Sequence, residues 1–138
     1  MLILNDPTLV HRISDPAIRS LVQQRFFEVC AGEPYDYDIH GYMVVVEPGD
    51  SIAALEQEIG FPILHNLFDD TCYGEPDFSP SFEALEEHAG CYELVYIFND
   101  EGFGAGIFIP KQPGVDGDLL AMCAEYAVSA QAAALAQP

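Results

Sequence analysis

Apolar residues recur at helical spacing between Asp15-Pro16 and Gly32, with Ile18, Leu21, Val22, Phe26, Val29 and Cys30 on one face. A carboxylate at the cap, proline in the first turn where its missing N–H is not needed, and a glycine stop predict a first helix that packs inward. The period then changes. Residues 42–47, YMVVVE, are apolar on both faces and end at Pro48-Gly49, which predicts a buried strand. Asp50 is placed to cap a short helix carrying Ile52, Leu55 and Ile59 to Gly60. Ser79 and Pro80 open a further predicted helix, with Phe82 and Leu85 inward and Gly90 as its end.

The clearest pattern follows. CYELVYIF, the turn residues NDEG and then FGAGIFIP spell out a β-hairpin with strands at about 91–98 and 103–109. Both strands are apolar on both faces, so the hairpin belongs inside a covered sheet rather than at a bare edge. Residues 111–117 read as a loop. From Asp118, the residues Leu119, Met122, Cys123, Tyr126 and Ala130 give a last helix, alanine-rich after Ala127. Alanine favours helix but buries little area, so this end frays or packs against a partner, a second copy making a homodimer. These elements predict a single α+β domain over 1–138: a small, mainly antiparallel sheet covered by three to four helices. Leu2–Leu4 and residues 63–66 are candidate extra strands.

A chain of 138 residues has the size of one domain, and half of its residues are hydrophobic, so it can build a core despite a formal charge of −19. Between Phe26 and Pro110 no lysine or arginine occurs over 85 residues, while 18 of the 23 carboxylates fall there. Three of the four basic residues, Arg12, Arg19 and Arg25, lie in the first 25 positions. Such a surface repels nucleic acid and anionic membrane and attracts cationic patches or ions. There is no basic start followed by an apolar core, and no run of about 20 apolar residues, so a soluble, cytoplasmic protein without membrane contact is expected. Salt adaptation of a structural subunit also accounts for the acidity.

Several motifs resemble chemical sites and fail on their requirements. Asp36, Asp38, His40, Gly41 and Glu47 match positions of a calcium loop. Such a loop needs an oxygen ligand where His40 stands, and a helix leaving where Pro48 and Gly49 stand. Gly102, Gly104 and Gly106 precede a strand, not the helix of a phosphate-binding loop, and are better read as sites of a bulge or close packing. Cys72, in DDTCYGEPD, is the one thiol in a polar setting, but its neighbours are carboxylates, which disfavour the thiolate. The other cysteines, Cys30, Cys91 and Cys123, are read as small buried hydrophobes, with no paired spacing. His65, Cys72, His88 and Cys91 offer only half of a zinc spacing. Carboxylate pairs such as Asp69-Asp70 and Glu86-Glu87 are too abundant to single out an acid and a base. No cofactor and no metal are expected, and the reading leans away from an enzyme.

The segment 61–78, FPILHNLFDDTCYGEPDF, interleaves aromatic rings with four carboxylates. Rings supply contact area and carboxylates engage a partner's arginines, so Phe61, His65, Phe68, Asp69, Asp70, Tyr73, Glu75, Asp77 and Phe78 form the candidate partner-binding set. The function expected is a non-enzymatic binding or inhibitory protein that docks a basic surface on another macromolecule, of immunity-protein, antitoxin or DNA-mimic type. The alternative is a small enzyme or ligand-binding domain with a pocket near 61–78.

Overall fold

The computed structural model describes residues 1–60, 63, 81–97 and 104–135, the side chains of 81–84, 96, 97 and 129–134 aside. Strand β1 (Leu2–Leu4) pairs antiparallel with β2 (Tyr42–Val45), and β2 runs parallel to β5 (Gly104–Pro110). On its other side β5 pairs antiparallel with β4 (Cys91–Ile97), and β4 with β3 (Ser81–His88), giving the order β1-β2-β5-β4-β3. The fold is therefore α+β with a mixed, mainly antiparallel sheet. Both strands of the expected hairpin lie in its interior, as their two apolar faces require.

Alternation along the strands sorts the core into two layers. Tyr42, Val44 and Val46, with Ile107 and Ile109 of β5 and Leu94 of β4, face helices α3 (Ile52–Ile59) and α4 (Gly117–Leu135) through Leu55, Ile59, Leu119 and Cys123. Met43, Val45, Phe108 and Cys91 face the opposite way, onto Ile18, Val22 and Phe26 of α1 (Pro16–Cys30). Helix α1 begins where the sequence places it: the Asp15 carboxylate accepts the N–H groups of Ala17 at 2.8 Å and Ile18 at 3.3 Å. A 3-10 helix over Pro7–Arg12, capped by Asp6, precedes it, and the one-turn helix α2 (Tyr37–His40) leads into β2.

Two expectations are corrected. Residues 81–88 are a strand, not the helix expected from Ser79-Pro80 to Gly90. They pair with β4 from His88↔Cys91 to Ser81↔Ile97, joined by Ala89-Gly90, both at positive φ as a tight hairpin turn demands. The apolar strand β4 needs a partner along that edge, and this tertiary demand overrides the helical preference of the local sequence. Helix α3 is capped by Ser51, whose Oγ accepts the Ala54 N–H at 3.1 Å, rather than by Asp50. Asp50 instead accepts the Glu47 N–H and the N-terminal ammonium, tying the end of β2 to β1. Of the candidate extra strands, Leu2–Leu4 forms β1; residues 64–66 of the other lie outside the described residues, and Ile63 is helical and buried.

Gly104 and Gly106 of the GFGAG run lie at close packing contacts, while Gly102 is outside the described residues. A Cβ on Gly106 would overlap the Met43 sulfur, and one on Gly41 would overlap the Gly104 carbonyl oxygen. Gly41 also sits at φ 76°, where other residues are strained.

Candidate functional site

On the α1 side of the sheet, strand register sets Glu86 of β3 directly opposite Glu93 of β4. Like charges at such positions repel. Glu93 is 1% exposed, and it is the only charged residue among the buried ones described. The Arg25 guanidinium reaches down from α1 and resolves the conflict. Its Nε meets Glu93 Oε1, its Nη2 donates to Glu93 Oε2 at 2.8 Å, and its Nη1 donates to Glu28 at 2.6 Å. Glu86 lies 3.9 Å from Nη2. His88, two residues along the same face of β3, brings Nε2 to 2.5 Å from Glu86 and 3.5 Å from Glu93. Hydrogen bonding to Glu93 raises the Arg25 pKa further above its ordinary value.

A cleft of about 300 Å³ opens beside this cluster, lined by Leu21, Gln24, Arg25, Glu28, Glu86 and His88. Ligand atoms of Glu86, His88 and Glu93 lie within 4.8 Å of one another, a spacing a metal ion can use. Arg25 already supplies the positive charge among them, so an ion would have to displace a forked guanidinium–carboxylate pair. The arrangement acts as a clasp between α1 and the sheet.

The remaining cations are also engaged by the chain itself, with one exception. Lys111 pairs with Glu87, which raises its pKa, and lies 5.1 Å from the centre of the Tyr92 ring. Arg19 donates to the carbonyls of Ile13 and Ser14 at 2.9 and 3.3 Å. Arg12 is exposed, and among the described residues neither it nor Arg19 enters an ion pair with a carboxylate. The carboxylates are spent differently: Glu33, Asp36, Asp38, Glu58, Asp118 and Glu125 are exposed and enter no ion pair among the described residues. No family model, curated protein or solved structure matches this chain. The functional reading therefore rests on side-chain geometry and charge.

The nine residues of the expected partner-binding set, Phe61, His65, Phe68, Asp69, Asp70, Tyr73, Glu75, Asp77 and Phe78, lie outside the described residues, as does Cys72. Of the expected half zinc site, His88 turns to Glu86 and Glu93, and Cys91 is wholly buried, its thiol pushed up to about 11 by burial and then by the Glu93 charge. Cys123 is buried likewise, at about 12. The calcium-loop residues take other work. Asp36 accepts the Asp38 N–H and caps α2, while His40 Nδ1 accepts the Asp36 N–H at 2.9 Å.

A second acidic and apolar segment emerges at 27–39, where the sequence reading saw only helix residues and the failed calcium loop. Phe27 is 74% exposed, Ile39 63% and Tyr37 44%, and exposed Glu28, Glu33, Asp36 and Asp38 stand among them. The segment is pinned from beneath by Tyr35. Its ring contacts Phe26 edge-on at 5.5 Å and stacks on His40 at 5.8 Å, and its hydroxyl donates to the Gly41 carbonyl. Burial drives the Tyr35 pKa to about 12, so this hydroxyl remains a donor. A warning was available in the sequence: YDYDI alternates ring or aliphatic residues with carboxylates, the same signal credited at 61–78.

Proposed function

We propose that this protein is a non-enzymatic binding protein that docks a basic surface on another macromolecule. One observation carries the reading: three of the four basic side chains, Arg19, Arg25 and Lys111, are engaged internally, while exposed carboxylates among the described residues enter no ion pair. A net negative field of that kind speeds encounter with a basic partner and repels nucleic acid and anionic lipid. Inhibition of a protein with a cationic cleft, as an immunity protein, antitoxin or DNA decoy would do it, is the form of docking that fits this charge. A cytoplasmic setting goes with it, supported by the buried free thiols of Cys30, Cys91 and Cys123.

The test is affinity capture from a lysate of the cells that make the protein. A partner with a basic surface should be retained at about 0.1 M salt, where the Debye length is about 10 Å, and released toward about 1 M, where it is about 3 Å. Duplex DNA competing for the same partner identifies the decoy form. A column that retains nothing, or retains partners indifferent to salt, refutes the reading.

A second contact is favoured by Val128 and Leu135, seven positions apart on one side of α4 and exposed at 67% and 80%. This is a homodimer along that helix. Sedimentation of the purified chain and of Val128→Ser tests it: a dimer in the first and a monomer in the second support it, and a monomer in both removes it.

A further inference from the structure

We infer that the cleft between α1 and β3 receives a lysine side chain of the basic partner; this deepens the docking reading and rests on it. Two short walls make the cleft. Leu21, Gln24, Arg25 and Glu28 recur at the i, i+3, i+4, i+7 spacing that puts them on one face of α1, and Glu86 and His88 alternate onto one face of β3. Its volume of about 300 Å³ lies at the lower end of ligand sites, which is room for one extended side chain and not for a folded segment.

Exposed acids are ordinary on this chain; surplus charge inside a cleft is not. Glu28, Glu86 and buried Glu93 bring three negative charges to one guanidinium, so with His88 neutral the cluster keeps an excess of two. Arg25 is committed to Glu93 through Nε and Nη2 and to Glu28 through Nη1, and Glu86 stands off at 3.9 Å. The excess therefore falls on Glu28 and Glu86, one on each wall, with side chains 43% and 52% exposed.

The chemistry of the walls selects the occupant. An ammonium has three donors that turn to suit separate carboxylates, whereas a guanidinium fork wants both oxygens of one, a place Arg25 already holds on Glu93. Leu21, half-buried beside these charges, offers apolar surface to a four-carbon stem. A metal ion would have to break the Arg25–Glu93 fork, while an ammonium leaves it in place. A second copy has no lysine to give, because its single one, Lys111, is paired with Glu87.

The experiment follows the amide signals of the isotope-labelled full chain by NMR while the peptide acetyl-Gly-Lys-Gly-amide, or the same peptide with its lysine acetylated, is added. At about 0.1 M salt the lysine peptide should shift Gln24, Glu28, Glu86 and His88 to saturation in the millimolar range, and the acetylated peptide should leave them still. Glu28→Gln/Glu86→Gln should weaken binding about tenfold or more, because two charge-assisted hydrogen bonds are lost, and should release a captured basic partner. Glu33→Gln/Asp38→Asn makes the same change of charge on exposed residues outside the cleft and should weaken binding about twofold or less. Gln24→Lys, at an exposed position four residues before Glu28, should fill the cleft from within and block the peptide. These variants replace exposed groups, so melting curves should lie close to the wild type. No saturable shift at these amides, equal binding of the acetylated peptide, or a Glu33→Gln/Asp38→Asn loss as large as that of the cleft variant overturns the inference. A captured basic partner that Glu28→Gln/Glu86→Gln still holds overturns it too and leaves the docking reading standing. Saturable binding beside an empty capture column removes the docking reading and with it the partner, leaving a free alkylamine as the occupant. Shifts of the same amides on concentrating the chain alone would give the cleft to a second copy.

Discussion

Replacing Arg25 by methionine should be among the most damaging single changes on the α1 face, and the structure says why. Methionine keeps the apolar stem of the side chain and removes only the charge and its donors. Glu93, 1% exposed in the middle of the sheet and directly across from Glu86, would then be a buried carboxylate with no strong counter-charge. Breaking a buried pair by removing one partner costs about 3–5 kcal/mol, a large share of the ~5–15 kcal/mol that holds an ordinary domain together. Glu93→Gln should cost less, about 1–3 kcal/mol, because the amide still accepts from Arg25 and the guanidinium keeps Glu28 and Glu86. The double change Arg25→Met/Glu93→Leu should recover most of the Arg25→Met loss, since two apolar groups replace two charges in one place. Urea unfolding of the wild type, Arg25→Met, Glu93→Leu and the double variant closes the cycle, with Glu93→Gln measured beside them. A cost below about 1 kcal/mol for Arg25→Met, or a double variant as unstable as the sum of the singles, would refute a clasp that acts through charge compensation.

Burial holds the Cys91 thiol at about 11 and that of Cys123 at about 12, both above the ordinary 9.0. Groups raised in the fold contribute stability that is complete below the unfolded pKa and lost as pH climbs through the folded one. Unfolding free energy should therefore be level up to pH ~9 and fall by about 1.4 kcal/mol per unit for each thiol above it. Urea titrations at stepped pH check this, and Cys123→Ala should shallow the slope; an unchanged slope contradicts the assignment. Gly41→Ala combines a positive φ with collision against the Gly104 carbonyl, so a loss of about 3 kcal/mol or more is expected in thermal melts. Gly106→Ala strikes the Met43 side chain instead, so its cost, about 1–3 kcal/mol, should shrink in a Met43→Ala background. Equal costs in both backgrounds would show that the contact is not the cause.

What the chain announced in advance was whatever depends on neighbours in sequence. The Asp15-Pro16 start of α1, the strand at 42–45 and the two strands after 90 are local patterns, and the structure carries them within a residue or two. What it hid depends on neighbours in space. FEALEEH reads as helix until an apolar strand beside it demands pairing, and Ala89 gives no hint that it will accept φ 45° in a turn. Glu93 was hidden for the same reason: in CYELVYIF it is one acid in an apolar run, and only the register opposite Glu86 and the reach of Arg25 across 68 positions reveal that it is buried.

That hidden arginine changes what the net charge means. Counted along the chain, Arg25 and Lys111 dilute a negative surface; placed in space, they are turned onto Glu93, Glu28 and Glu87 and serve the fold. A charge of −19 spread evenly would be sufficient for solubility and would need no apolar company. Instead Phe27, Tyr37 and Ile39 are exposed in a stretch of chain that also carries exposed Glu28, Glu33, Asp36 and Asp38, and hydration alone gives these apolar groups no purpose. Adaptation to salt accounts for the acids but not for Phe27 and Ile39. The docking proposed above would account for both, since acids speed the encounter with a basic partner and exposed apolar groups would slow its release.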